Sequence, residues 1–281
     1  MRLVNLAGRA GLDVNGHFVD LEQQSQGRFS ADPMDALRDW ASIRTWADER
    51  SEAEAGPLID ADELGPPVPR PTQVFAIGLN YRDHAEEASL PIPETPMVFT
   101  KFPTCLAGPN ADVPLTGDRV DWEVEQVVVI GREASGVSQA EAWDFVAGMT
   151  AGQDISDRRL QFASKPPQFS LGKSARGFGP IGPALVSLDE FADPDDIALH
   201  CWVAGERMQS SRTSNLIFSV PRLIEYISSY CVLLPGDLIF TGTPGGVGSV
   251  REPRRYLAEG ELIESEIEGI GRLENRCVAS R

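Results

Sequence analysis

The sequence predicts an α+β fold, mostly β, in which a small N-terminal α/β unit precedes a larger β-rich domain. Three observations carry this. From residue 71 onward the apolar residues fall in short runs bounded by Gly and Pro, the pattern of strands. Only two helical patterns interrupt those runs. The segment Gly65-Pro66-Pro67-Val68-Pro69-Arg70-Pro71 reads as a stiff connector, because repeated Pro lacks N–H donors and favours extended backbone. The two units are therefore drawn at 1–70 and 71–281.

In the opening unit, Leu3, Val4 and Leu6 suggest a strand, and Asn15-Gly16 before His17-Phe18-Val19-Asp20-Leu21 has the chemistry of a hairpin turn. Asp32-Pro33 then opens a helical pattern through Leu37 and Trp40, with Pro suited to a first turn. In the larger unit the clearest strands are Val74 to Ile77, Glu123 to Ile130, Ala198 to Val203, Leu238 to Thr241 and Leu262 to Ile267. A capping-box pattern, Ser138-Gln139-Ala140-Glu141, predicts a helix carrying Trp143 and Val146. Ser219-Val220-Pro221 opens a second, with Leu223, Ile224 and Ile227 on one face.

Composition narrows the function classes. A formal net charge of −17 argues against nucleic acid, whose phosphates such a surface would repel. It does not argue against a small anion in a locally cationic pocket. Cys105, Cys201, Cys231 and Cys277 form no CxxC pair, so neither a zinc site nor a disulfide framework is indicated, and reduced thiols in a cytoplasmic protein are the simple expectation. The N-terminal apolar run is broken by Gly, Arg and Asp too early for a signal peptide, and no stretch approaches the roughly 20 apolar residues of a membrane span.

The chemistry begins at Asp121-Trp122-Glu123-Val124-Glu125. Alternation along a strand puts Glu123 and Glu125 on one face with Val127 and Val129. Two neighbouring carboxylates repel unless a proton or cation lies between them, and a hard divalent ion is the economical answer. Alone, such a pair is more often the exposed end of a strand. Asp154, Arg158 and Gln161 follow at i, i+4 and i+7, which in a helical turn would make one polar stripe. Lys173 lies in Phe169-Ser170-Leu171-Gly172-Lys173-Ser174, which lacks the upstream glycine of a P-loop and so does not bind nucleotide that way. Thr241-Gly242-Thr243-Pro244-Gly245-Gly246-Val247-Gly248 follows an apolar strand, where successive amides can form an anion-binding nest. His84 and Glu87 are three residues apart, so a helical turn would pair them as acid and base. His17 and His200 read as structural.

These motifs, in this order, resemble those of the fumarylacetoacetate hydrolase family over about residues 71 to 278. The strand-borne Glu-x-Glu, Asp-x-Ser-x-Arg-x-x-Gln, Gly-Lys-Ser and Thr-Gly-Thr-Pro-Gly-Gly-Val-Gly follow Asn-Tyr-x-x-His-Ala-x-Glu, and Glu266-Ile267-Glu268-Gly269-Ile270-Gly271 resembles the closing strand. The resemblance implies a mixed β-sandwich roll of the fumarylacetoacetase C-terminal type, assembled as a homodimer. It implies that Glu123, Glu125 and Asp154 hold Mg²⁺ or Mn²⁺, with Lys173 beside the metal. Thr243 would contact a substrate oxygen, and Arg158 and Gln161 would surround the substrate. His84 and Glu87 would form a water-activating dyad. Mg²⁺ is preferred to Zn²⁺ because all three ligands are carboxylates. Two positions depart from the family: Gln153 stands where many relatives have Asn, and the Ser210 to Asn215 run brings an Arg212 that could alter pocket charge or sit on the surface.

The expected activity is hydrolytic carbon–carbon cleavage of a 2,4-dioxo acid of the acylpyruvate or fumarylpyruvate type. Decarboxylation of an oxaloacetate-like acid and isomerisation of a hydroxydienoate are alternatives on the same site, since neither needs a hydrolytic water. A non-catalytic metal and carboxylate binder is a third, and it would have no use for His84 and Glu87.

Overall fold

A computed structural model of the protein describes residues 1–49 and 56–280, so residues 50–55 of the opening unit and residue 281 of the larger one lie outside the described residues. The opening strand β1 (Arg2–Leu6) pairs with β2 (Arg9–Val14), which turns through Asn15 and Gly16 into β3 (His17–Asp20). Asn15 and Gly16 have φ of 55° and 83°, the left-handed pair that matches strand twist in a two-residue hairpin. The helical pattern that follows is divided at Asp39, giving α1 (Pro33–Arg38) and α2 (Trp40–Asp48). Asp32 caps α1 by accepting from Met34 N–H at 2.8 Å.

Among the described residues the large sheet has eleven strands, and its main path runs β3-β2-β1-β8-β7-β6-β11-β4-β5. Here β4 is Val74–Gly78, β5 Met97–Thr100, β6 Val124–Ile130, β7 Val146–Gln153, β8 Gly179–Ser187 and β11 Leu238–Phe240. Strand β1 pairs antiparallel with β8, so the opening unit extends the same sheet. A second, five-stranded sheet contains β9 (Ala198–Val203), β10 (Glu206–Arg212), β12 (Leu262–Ile267) and β13 (Gly271–Ala279).

The large sheet is covered on both faces. One face packs Val127, Val129, Leu185 and Phe240 against Leu37, Trp40 and Ile43 of the N-terminal helices. The other packs Val124, Val128, Ile130 and Met149 against Leu199, Val203, Ile263 and Leu273 of the smaller sheet, and against Leu223, Ile224 and Ile227 of α5 (Val220–Ser228). Strand β6 lies between β7 and β11 and is buried along its whole length, which explains its continuous Val and Ile run. The fold is therefore α+β and mostly β, as expected.

The predicted helix over Ser138 to Val146 is a correction. Only the single 3-10 turn Ala142–Phe145 forms, and Val146 already pairs with Ile130 as the first residue of β7. The Ser138 hydroxyl donates to the Glu141 carboxylate at 2.6 Å, so these side chains satisfy each other without capping a helix. Strand pairing at the sheet centre outweighs a local signal worth about 1 kcal/mol.

Candidate active site

The site is assembled where β6 enters the sheet. Glu123 and Glu125 project on the face shared with Val127 and Val129, and Asp154 arrives from the end of the neighbouring β7. All three are buried, and their carboxylate oxygens lie within 4.8 Å of one another. Gln153 sets the register: its amide oxygen accepts from Glu123 N–H at 2.8 Å, and its NH₂ donates to Ser265 Oγ at 2.8 Å. Asp154 N–H in turn donates to the Glu123 carbonyl at 2.9 Å.

Asp154 is not part of a helical stripe with Arg158 and Gln161. Helix α4 (Arg158–Gln161) begins after Asp157, whose side chain caps it, and Asp154 lies upstream of it, just past the end of β7. Arg158 still reaches the cluster from the other side. Its guanidinium lies 2.7 Å from Glu123 and donates to Asp121 Oδ2 at 2.8 Å and to Gln161 Oε1 at 2.9 Å. Lys173, buried in a 3-10 turn, donates to Glu123 Oε2 at 2.7 Å and to Asp154 Oδ2 at 2.6 Å.

Electrostatics separates Glu123 from Glu125. Burial alone would raise Glu123, but Lys173 and Arg158 outweigh it and hold its carboxyl below the ordinary range. Burial pushes Glu125 well above that range, and Asp154 and Glu123 push it further. Among the described residues no lysine or arginine lies within ion-pair distance of Glu125, while Gly242 N–H donates to it at 2.7 Å. A buried acid facing two like charges is the donor environment that a hard divalent cation relieves, and no Cys or His joins the set. The residues fit Mg²⁺ or Mn²⁺. Lys173 stays protonated because Asp154 and Glu123 more than offset its desolvation.

His84 and Glu87 occupy the one helical turn α3 (Arg82–Glu87), reached from β4 through Asn80. The fully buried Asn80 donates to the Thr241 carbonyl at 2.7 Å and accepts from Phe218 N–H at 2.8 Å, which fixes the entry to the helix. His84 Nδ1 faces Glu87 Oε2 at 3.9 Å, beyond hydrogen-bond length, and has no other partner. His84 together with Gly246 N–H, which donates at 2.7 Å, draws the Glu87 carboxyl below the ordinary range.

The glycine-rich turn after β11 does supply amides to anions, but the anions are the protein's own carboxylates. Gly242 N–H serves Glu125, Gly245 N–H serves Asp83 at 3.3 Å, and Gly246 N–H serves Glu87. Gly248 and Ser249 N–H both serve Asp121, at 2.8 and 3.0 Å. The Thr243 hydroxyl donates to the Val124 carbonyl at 2.9 Å and accepts from Gln209 at 2.8 Å.

A cavity of about 220 Å³ is lined by His84, Glu123, Arg158, Gln161, Lys173 and Thr243 among others. Three contributors were not singled out from sequence. Lys101, fully buried, donates to Asp154 Oδ1 at 2.7 Å and to the carbonyls of Phe178 and Lys173. Asp121 joins Arg158 to the glycine turn, and Gln209 bridges Thr243 and Val124 N–H. Asp121 stands in alternation with Glu123 and Glu125, a signal available in the sequence. Arg212 lies elsewhere, paired on the surface with Asp196 at 2.7 Å.

Comparison with known proteins follows the same lines. The model of the fumarylacetoacetate (FAA) hydrolase C-terminal family matches residues 73–278. The mitochondrial oxaloacetate tautomerase FAHD2B of Bos taurus is 42% identical over 214 residues, which are 75% of this chain and 68% of that protein. A crystal structure of a Mycobacterium smegmatis protein provisionally termed HpcE superimposes with a TM-score of 0.95 at 47% identity, covering 100% of both chains. Maleylpyruvate hydrolase from Sphingobium sp. SYK-6, solved with manganese(II) and pyruvate, superimposes with a TM-score of 0.84 at 26% identity, again covering 100% of both.

Proposed function

The chain belongs to the fumarylacetoacetate hydrolase family, and from that premise we propose that it is a Mg²⁺- or Mn²⁺-dependent hydrolase of a 2,4-dioxo acid. The observation that carries the reading is the position of His84. It lines the same cavity as Glu123 and Lys173, and its Nδ1 is directed at a carboxylate that Gly246 holds in place. A metal or carboxylate binder has no need of such a dyad. The pyruvate and manganese in the maleylpyruvate hydrolase structure support a 2-oxo acid and a divalent ion as the partners.

A divalent cation held by Glu123, Glu125 and Asp154 would supply Lewis acidity and an anchor for the substrate's carboxylate and 2-oxo oxygens. The rest of the chemistry rests on side chains. Glu87, whose carboxylate faces Nδ1 of His84 at 3.9 Å, would accept the Nδ1 proton once that gap closes and leave Nε2 to take a proton from water. The water oxygen bonds to the 4-carbonyl carbon, the bond between carbons 3 and 4 breaks, and carbon 3 receives the electron pair. The acyl group leaves as a carboxylic acid, and protonation of carbon 3 completes pyruvate. The Lys173 ammonium stabilises the negative charge that develops on the 2-oxo oxygen. Arg158 and Gln161 bind and orient, and Thr243, its hydroxyl held by Val124 and Gln209, lines the cavity beside them. All of these residues come from 71–281, while 1–70 contribute the sheet edge and its helical cover. A homodimer in the cytoplasm completes the reading, and the buried free thiols suit that reducing compartment.

The resemblance to an oxaloacetate tautomerase favours a second reading, in which the site interconverts the keto and enol forms of an oxaloacetate-like acid without a hydrolytic water. His84→Ala, assayed with Mg²⁺ on acetylpyruvate and on oxaloacetate, separates them. The hydrolase reading expects wild-type cleavage of acetylpyruvate and a loss of about 10² to 10⁴ in the variant. Wild-type turnover of oxaloacetate alone, retained in the variant, would replace the hydrolase with the second reading.

A further inference from the structure

The cavity lining is part charged and part apolar. Besides Glu123, Arg158 and Lys173, it is built from Leu90, Met97, Phe99, Phe162 and Phe169. The rings of Phe99 and Phe169 meet edge-to-face at 5.5 Å between centroids, and Phe162 and Phe169 at 6.3 Å. Lys173 Nζ lies 5.4 Å from the Phe99 centroid, so the aromatic wall starts beside the charged cluster. Gly78 backs it: a Cβ there would come within 2.2 Å of Met97 Cε, so only Gly lets the thioether lie where it does. Leu90, Met97 and Phe162 are 52%, 43% and 56% exposed, an apolar mouth that a ligand would cover.

The arginine and lysine that line this cavity, Arg158 and Lys173, are already engaged. Arg158 serves Asp121, Glu123 and Gln161; Lys173 serves Glu123 and Asp154; Lys101 serves Asp154 from within the core. Arg251 and Arg254 line a neighbouring cleft together with Glu87 and Glu252, and Arg251 lies 3.7 Å from Glu206. A carboxylate against the aromatic wall would lose water without gaining a partner.

We propose that the substrate's end remote from its oxo-acid group is apolar, an alkyl or aryl acyl chain, and that the aromatic wall discriminates against a dicarboxylic acid. This rests on the oxo-acid reading above and narrows it. The test uses ligands that lack a 4-oxo group and so bind without being cleaved. Mn²⁺-loaded protein is titrated with pyruvate, 2-oxohexanoate and 2-oxoadipate. 2-Oxohexanoate is expected to bind at least about tenfold more tightly than 2-oxoadipate, because its terminal methyl is buried without the desolvation cost of the carboxylate that 2-oxoadipate carries at the same carbon. Phe162→Lys, a substitution at an exposed side chain, is expected to narrow or reverse that ratio. Pyruvate binding accompanied by equal or tighter binding of 2-oxoadipate in the wild type would overturn this inference alone. Failure of pyruvate itself to bind would overturn the oxo-acid reading and this inference with it.

Discussion

Lys101 Nζ donates to Asp154 Oδ1 at 2.7 Å, and neither side chain retains more than 1% of its exposure. The same ammonium holds the carbonyls of Phe178 and Lys173, so one buried charge ties a candidate metal ligand to the turn that carries Lys173. Lys101→Met leaves Asp154 with Lys173 as its remaining cation. Loss of one partner from a buried pair costs about 3–5 kcal/mol, which urea denaturation should detect. A change below about 1 kcal/mol would show that Lys101 is not structurally committed.

Gly246 N–H holds Glu87, on the helical turn that also carries His84. The φ of Gly246 is +105°, and a Cβ there would lie 2.1 Å from the Met208 carbonyl, so any side chain must displace the turn. Gly246→Ala is expected to destabilise the fold by about 1–3 kcal/mol and to lower turnover by displacing the amide that orients Glu87. Unaltered turnover in the folded variant would mean that this amide does not position the dyad.

What sequence could reveal of this site was its local part. Alternation along one strand put Glu123 and Glu125 on a shared face, and three-residue spacing paired His84 with Glu87 on a single turn. Lys101 was hidden because a lysine after a strand is normally solvated, and its partners lie 53, 72 and 77 residues away. The same holds for the glycine turn. Its free amides were legible, but the carboxylates that fill them come from Asp83, Glu87, Asp121 and Glu125, distant in sequence and joined only by the sheet. The expected helix at Ser138 failed for a related reason: Val146 is claimed by its pairing with Ile130, which no local propensity records.

Thiol chemistry tests the core independently. Cys105, Cys201 and Cys277 are buried while Cys231 is exposed. Burial raises all three buried thiols, Cys277 to about 12, so few thiolates form there near neutral pH. Native protein should release thionitrobenzoate from about one thiol per chain, and denatured protein from all four. Rapid reaction of a second thiol in the native state would contradict the packing of these strands.

Acid sensitivity should be traceable to Asp20 in the opening unit. Burial pushes its carboxyl up, but Arg9 at 2.6 Å and Gln23 N–H at 3.0 Å outweigh it and hold it below the ordinary value. A carboxylate held low in the folded state stabilises the fold above its unfolded value, near pH 4, and loses that contribution as pH falls through the folded one. Asp20→Asn should therefore be less stable than wild type at pH 7 and approach it below about pH 3 in denaturation titrations. A gap independent of pH would assign the effect to packing.

The metal centre is tested most directly by calorimetric titration of Mn²⁺ into the wild-type protein and into Glu125→Ala. Glu125 is the carboxylate that faces Glu123 and Asp154 without a lysine or arginine of its own among the described residues. Wild type should bind about one cation per chain through its hard oxygen donors, and the variant should lose that site while remaining folded. Undiminished Mn²⁺ binding in Glu125→Ala, or none in the wild type, would contradict a metal site formed by Glu123, Glu125 and Asp154.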